Sequence, residues 1–262
     1  MALTLLIGGG IAAYLYFQDA QQQVEQAHPV DIQEIAPPTI LPEATSPQAP
    51  QVLEDPAEMI ELPQLESSDN FMGIALASLV TNKALTNIFS NNELVRNIVV
   101  TIDNLPRKQV TMRFMPIKKA PGKFTPMEIT GETFIDPNNS RRYAPYMNFA
   151  KAVDPKQLVE LYIQLYPLFQ KSYEELGYPD QYFNDRMIVV LDHLIATPEI
   201  DEPAQLVQPK YFYQYADPAL ENRSIGQRIL MRIGNDNQNV IKTKLQAIKQ
   251  ELMLHMHEQK TN

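Results

Sequence analysis

Apolar residues recur at helical spacing along most of the chain beyond residue 69. Positions three and four apart share one face of an α-helix, so this period predicts helices that bury one side. The first helix is predicted to begin after residues 67–69, whose short polar side chains favour an N-cap. Its predicted buried face consists of Phe71, Ile74, Ala75, Leu79 and Val80. A second helix is predicted from a cap at Asn91 or Asn92 to its end at residues 105–106.

The most apolar segment, residues 155–176, predicts a central helix because apolar positions cover most of its circumference. Pro167 predicts a kink in this helix, and Gly177 predicts its end. No internal repeat is visible. Further helices are predicted over four other segments: 141–153, 182–196, 218–233 and 235–257.

Three segments carry the signals of β-strands instead. Residues 110–114 alternate between apolar and polar side chains, as in a half-buried strand. Residues 123–135 predict a hairpin turning at Thr130-Gly131, with Pro126 confining its strand to a sheet edge. The aromatic segment 205–215 predicts a third strand beside this hairpin. The predicted fold class is therefore mainly α (α+β), a compact bundle of about six to eight helices with a small antiparallel sheet.

The first 17 residues predict a transmembrane anchor. Residues 3–17 hold no charged side chain, although at about 1.5 Å per residue they fall short of a bilayer core of about 30 Å. A cleaved signal peptide lacks support, because no basic residue precedes the segment and no small-x-small site follows it. A buried core helix would have nothing to pack against in the next fifty residues. The missing basic flank would be explained if the natural start lies upstream.

Residues 18–68 predict a disordered acidic tether, rich in proline and poor in apolar side chains. Residues 1–82 contain eleven acids and no Lys or Arg, out of 31 acids and 22 bases in the whole chain, whose net charge is −9. The remaining residues therefore carry a net charge of +2. Because basic residues stay on the cytoplasmic side, the predicted single domain at 69–258 is placed in the periplasm.

Composition and motifs exclude several classes of function. The chain has no cysteine, which rules out disulfides and thiolate nucleophiles. A basic surface for nucleic acid is absent, and so are the common metal-protease, phosphate-loop and nucleophile-elbow motifs. His255 and His257 lie two apart and would face different sides of a helix. No cofactor and no metal site are predicted.

Four segments together resemble the bacterial domain of unknown function 3014 family. They are LVRNIVVTIDNLPR (94–107), RRYAPY (141–146), LYPLFQKSYEELGYPDQYFNDRMIVVLDHLIATPE (165–199) and YQYADPALENRSIGQRILMRIG (213–234). The resemblance extends over residues 69–255 and implies a membrane-anchored bacterial protein with a Pro-rich linker. It implies no activity and no catalytic residues.

Candidates for catalysis lie on the helix predicted over 182–196. Asp185 and Asp192 share one face, and His193 lies on the neighbouring one, so His193 could act as a general base oriented by a carboxylate. The alternative is a salt-bridge network that links helices.

Two other groups are candidates for ligand binding. Arg96 and the pair Arg141-Arg142 could bind an anionic group, or could cap helices and pair with acids. Four aromatic residues lie within five positions: Tyr211, Phe212, Tyr213 and Tyr215. Successive side chains of a strand face opposite sides, so the four cannot all point inward, and an exposed tyrosine among them could bind peptide or glycan. The predicted function is a non-enzymatic cell-envelope binding module with a protein or cell-wall partner; the alternative is an envelope hydrolase using Asp185, Asp192 and His193.

Overall fold

The computed structural model of the protein describes residues 61–109 and 115–261. The predicted anchor, the predicted tether up to residue 60 and the predicted strand over 110–114 lie outside the described residues. Within them, nine α-helices and four β-strands form a mainly helical fold with a small sheet. The helices are α1 (Asp69–Ser78), α2 (Leu94–Asn104), α3 (Ala144–Ala152), α4 (Pro155–Gln164), α5 (Tyr166–Glu175), α6 (Phe183–Ile195), α7 (Pro218–Glu221), α8 (Ile225–Arg232) and α9 (Asn235–Thr261). Short 3-10 helices span Leu65–Ser67, Lys83–Ile88 and Pro137–Tyr143.

The prediction of a single central helix over 155–176 is wrong, because the segment forms two helices. The Leu165 N–H still bonds the Leu161 carbonyl, and α5 then begins at Tyr166 with Pro167 in its first turn. Proline has no N–H to donate, which is harmless in a first turn. Gly177, at φ +112°, follows the end of α5 as predicted. The segment 218–233 is likewise two helices, since the Ser224 side chain accepts the Gln227 N–H and starts α8.

The start of α2 also differs from the prediction. The Asp69 carboxylate, at the start of α1, accepts the N–H groups of Glu93 and Leu94 at 2.8 and 2.7 Å. Glu93 occupies the left-handed region at φ 48°. The cap of α2 therefore comes from Asp69 of α1, and not from Asn91 or Asn92.

The packed region extends further toward the N-terminus than the boundary predicted at 69, because Leu65 is buried in the core. On α1 the buried residues include Met72, Ala75 and Leu76, whereas Ile74 is 65% exposed and was wrongly assigned to the buried face.

The sheet is antiparallel, with its strands in chain order: β1 (Pro126–Ile129), β2 (Glu132–Ile135), β3 (Gln205–Val207) and β4 (Gln214–Tyr215). The predicted hairpin is confirmed, with Thr130 and Gly131 at positive φ between β1 and β2. Such a turn matches the twist of the strands that it joins. The segment 205–215 forms two paired strands, and not the predicted single one.

Two groups of buried apolar residues hold the fold together. The larger one joins the helices and contains buried residues from Leu65 to Leu252. The smaller one lies under the sheet and consists of Ile200, Ala204, Leu206, Tyr215 and Met231. Helix α8 contributes to both, because Ile229, Leu230 and Met231 face different sides of it.

Candidate functional site

The predicted catalytic candidates on α6 do not converge. Asp192 is exposed, and its carboxylate lies 2.5 Å from the Lys249 ammonium on α9. Asp185 is exposed on the first turn of α6. His193 turns elsewhere, with its Nε2 at 2.6 Å from the Ser224 hydroxyl.

The contact between His193 and Ser224 has a structural explanation. Ser224 is only 5% exposed, and its oxygen already accepts the Gln227 N–H at the start of α8. The hydroxyl has one proton to donate and a second lone pair, so it can pair with either tautomer of the neutral imidazole. Burial lowers the pKa of His193, and the nearby Arg186 and Arg223 lower it further. This arrangement stabilises the junction of α6 and α8.

A buried carboxylate links α2 to α6. Asp103 is 3% exposed, and its two oxygens lie 2.6 Å from the Arg107 guanidinium and 2.9 Å from that of Arg186. Arg186 also donates to the Asp103 carbonyl at 2.6 Å. Asp103 is thus the centre of a salt-bridge network that joins α2 to Arg186 of α6.

Two of the predicted anion-binding arginines have their charged groups engaged within the protein. Arg96 pairs with Glu175 at 2.7 Å and lies 3.6 Å from Glu66. Arg142 donates to the carbonyls of Pro121 and Gly122 at 3.1 and 3.0 Å. Both contacts join segments that are far apart in sequence, which is a structural role.

The three candidate tyrosines separate by burial. Tyr211, in the turn between β3 and β4, is 58% exposed, and Tyr213 is half-buried with its ring 5.7 Å from Phe124. Tyr215 is 2% exposed and faces the small core under the sheet. Burial raises the pKa of Tyr215 above that of a free phenol. Tyr211 is the candidate that solvent can reach most freely.

Arg141, the remaining predicted arginine, lines a concave cleft. The cleft has a volume of about 400 Å³ and lies among the first turn of α9, helix α3 and the loop that precedes β3. Its polar lining includes Asp136, Arg141, Lys151, Glu202, Arg232 and Asp236. Its apolar lining includes Ile135, Met147, Ile200, Pro203, Ala204 and Met231. Ligand sites in proteins commonly span about 300 to 1,000 Å³.

Hydrogen bonds fix the elements that surround this cleft. Glu202 accepts the Asn235 N–H at 2.8 Å and thereby holds the loop against the start of α9. Asn237 donates to the Ser140 carbonyl at 3.2 Å, which joins α9 to the 3-10 helix that carries Arg141. Arg232 donates to the Tyr213 carbonyl at 2.7 Å and lies 5.1 Å from the Tyr215 ring. The elements that form the cleft are therefore held in place by hydrogen bonds between them.

Three charged side chains of the cleft have no partner. Within the described residues, the side chains of Arg141, Lys151 and Asp236 form no hydrogen bond or ion pair. The two cations lie on the wall formed by α3 and the 3-10 helix before it, and Asp236 lies on the first turn of α9. The cleft thus keeps opposite charges available and unpaired.

Sequence reasoning identified Arg141 but missed Lys151, Glu202 and Asp236. These residues belong to three elements separated by long stretches of chain, and no local spacing connects them. Their meeting depends on how α9 packs against α3.

A model of the family described as "Protein of unknown function (DUF3014)" matches residues 94–249. The chain belongs to this family. The match includes Arg141, Lys151, Glu202 and Asp236, so the polar lining of the cleft lies inside the DUF3014 region. No curated protein and no solved structure matches the chain.

Two kinds of feature are absent from the described residues. No helix across 61–109 and 115–261 is long and apolar enough to cross a membrane. In the same part of the DUF3014 chain, no three acidic or histidine side chains are grouped as a metal ion would require. The predicted anchor at 1–17 lies outside this part of the chain.

Proposed function

We propose that this chain is a non-enzymatic binding module of the bacterial cell envelope, with the cleft as its ligand-binding site. The observation that carries the proposal is a pair of cations, Arg141 and Lys151, that have no partner among the described residues and line a cavity of about 400 Å³. A charge in a concave site is worth more to a ligand when no protein group already neutralises it. Met147 and Met231, both buried, are among the residues that line the same cleft.

The cellular setting in this proposal derives from the amino-acid sequence. Residues 1–17 would anchor the chain in the inner membrane as a single-pass protein, and residues 18–68 would hold the domain away from it. The acidic, base-free stretch after the anchor supports a periplasmic domain. The ligand would then be a cell-wall component or part of an envelope protein.

The test is a thermal-shift screen of the full-length chain against amino acids, dipeptides, monosaccharides, dicarboxylates and nucleotides. At least one class should raise the melting temperature, because a ligand that binds only the folded state stabilises it. Ala144→Trp, which adds bulk to the exposed lining of the cleft, should abolish this rise. Ala84→Trp, at an exposed alanine outside the cleft, is the control. A rise of the same size in the Ala144→Trp variant, or no rise in the wild type, would refute the proposal.

The second candidate function is a hydrolase in the region of Asp185, Asp192 and His193. One observation favours it, the 2.6 Å contact between His193 and the Ser224 hydroxyl, since a base beside a hydroxyl can create a nucleophile. The burial of Ser224 and its capping bond count against it. Under the binding proposal, Ser224→Ala should leave the hydrolysis of a chromogenic ester unchanged. A loss of that hydrolysis, with the variant still folded, would favour the hydrolase.

A further inference from the structure

The unpartnered charges of the cleft have opposite signs and come from different walls. Arg141 and Lys151 lie on the wall formed by α3 and the 3-10 helix before it, whereas Asp236 lies on the first turn of α9. Within the described residues, neither cation comes within ion-pairing distance of Asp236. A ligand with one charge would leave one wall unsatisfied, but a ligand with both charges would complement both walls.

The other charged groups of the cleft are partly satisfied within the protein. Glu202 accepts the Asn235 N–H, and Asp136 accepts the N–H of Asn138 at 2.8 Å. Arg232 is held by the Tyr213 carbonyl. In total the cleft presents Arg141, Lys151 and Arg232 against Asp136, Glu202 and Asp236, so its lining is formally neutral at pH 7. A neutral lining with separated charges favours a ligand that is itself neutral in total and zwitterionic.

Apolar side chains line the same cleft. Met147, Met231 and Ile200 are buried residues that also line the cleft. Methionine adapts to different apolar groups because its side chain is unbranched and polarisable. A volume of about 400 Å³ exceeds that of a single small amino acid and leaves room for a short peptide.

We infer that the ligand of the cleft is a short zwitterionic peptide, or an amino-acid derivative, with a free carboxylate, a free ammonium group and an apolar side chain between them. The carboxylate would bind Arg141 and Lys151, and the ammonium group would bind Asp236. This inference rests on the proposed function, since it names the ligand class of the same cleft.

The test measures the binding of four forms of one dipeptide, alanyl-leucine, to the full-length chain by calorimetry. The forms are the free zwitterion, the N-acetyl derivative, the C-terminal amide and the doubly blocked peptide. The free peptide should bind best, and each block should weaken binding about tenfold, since a charge-assisted contact contributes about that factor.

Variants of the protein then test which wall of the cleft binds each charged group of the peptide. In Arg141→Gln/Lys151→Gln, amidation of the peptide should cost no further affinity, because the partner of the carboxylate is gone. In Asp236→Asn, acetylation should cost nothing further. Lys156→Gln, which removes an exposed charge outside the cleft, should keep the wild-type differences among the four peptides.

Different outcomes separate this inference from the proposed function. If alanyl-leucine does not bind while another class in the screen stabilises the wild type and not Ala144→Trp, the zwitterion inference is wrong and the binding module stands. If no class binds, both fail. Equal affinity for the free and N-acetylated peptides would also overturn the inference, because the ammonium group would then contribute nothing to binding.

Discussion

His193 carries a pH-dependent contribution to stability. Burial lowers its pKa in the folded protein, and Arg186 and Arg223 act in the same direction. The unfolded chain, with a histidine pKa of about 6.5, therefore binds this proton more readily than the folded chain. The contribution is complete above about pH 6.5 and is lost as the pH falls through the folded-state pKa.

The measurement is the urea-unfolding free energy of the wild type and of His193→Gln between about pH 8 and about pH 5. The wild type should lose more stability over this range than the variant, because glutamine can meet Ser224 but does not titrate. Other titrating groups contribute equally to both proteins. Parallel curves would show that protonation of His193 makes no contribution to the pH dependence of stability.

For single residues, the sequence identifies the residue types that are important. It predicts their interaction partners less well. Arg141 and Arg142 are adjacent, yet Arg142 bonds the carbonyls of Pro121 and Gly122, whereas Arg141 lines the cleft. In the 3-10 helix that holds both, neighbouring side chains point about 120° apart, so the sequence shows that they differ but not which one faces the cleft. The partners come from segments that only the tertiary fold brings close.

At the scale of elements, the hydrogen bonds that join the start of α1 to the start of α2 lead to a testable prediction. Asp69→Ala should cost about 1 to 2 kcal/mol, because it removes the carboxylate that accepts the N–H groups of Glu93 and Leu94. Asn92→Ala tests the cap predicted from the sequence and should change the free energy of unfolding by less than about 0.5 kcal/mol. Urea unfolding measures both. A larger loss of stability in Asn92→Ala than in Asp69→Ala would mean that Asn92, and not Asp69, caps α2.

Helix α8 crosses α2 and α6 at Gly226, which leaves no room for a side chain. A Cβ there would lie 2.6 Å from a Leu194 methyl carbon and 3.0 Å from the Leu105 carbonyl oxygen, a backbone atom that cannot move freely. Gly226→Ala should therefore destabilise the protein by about 1 to 3 kcal/mol, despite the better helix propensity of alanine.

Gly73 provides the matched control for this substitution. It lies in α1, and outside its own helix backbone and chain neighbours no atom of the described residues comes within 4 Å of the position that an added methyl group would take. Gly73→Ala should therefore stabilise the protein by up to about 1 kcal/mol. Thermal or urea unfolding of both variants gives the comparison. A Gly226→Ala protein as stable as Gly73→Ala would refute the close crossing.

Element types followed from the sequence more reliably than element boundaries. The hairpin at Thr130-Gly131 was predictable because positive φ at both positions is a local requirement. The division of residues 155–176 at Leu165 was not, because a proline that kinks a helix and a proline that starts one look the same in sequence. The second strand within 205–215 was not predictable, because β4 spans only Gln214–Tyr215 and is too short to show an alternating pattern.

At the scale of the whole molecule, the sheet and the helical bundle should unfold as one unit. Helix α8 joins them, because Ile229 and Leu230 pack in the larger core while Met231 packs under the sheet. Arg232, the next residue, holds the Tyr213 carbonyl. The cleft lies at this junction, so its two walls keep their spacing only while both cores are intact.

The chain contains no tryptophan, so a single introduced one reports on one place. Phe124→Trp would report on the sheet core and Phe71→Trp on the larger core, since each phenylalanine is partly buried against the corresponding cluster. In each variant the fluorescence midpoint in urea should coincide with the far-UV circular dichroism midpoint, as cooperative two-state unfolding requires. If Phe124→Trp fluorescence changes at lower urea, the sheet opens first and the cleft is lost before the bundle unfolds. The walls that carry Arg141 and Asp236 would then form a rigid site only when the sheet is closed against α8.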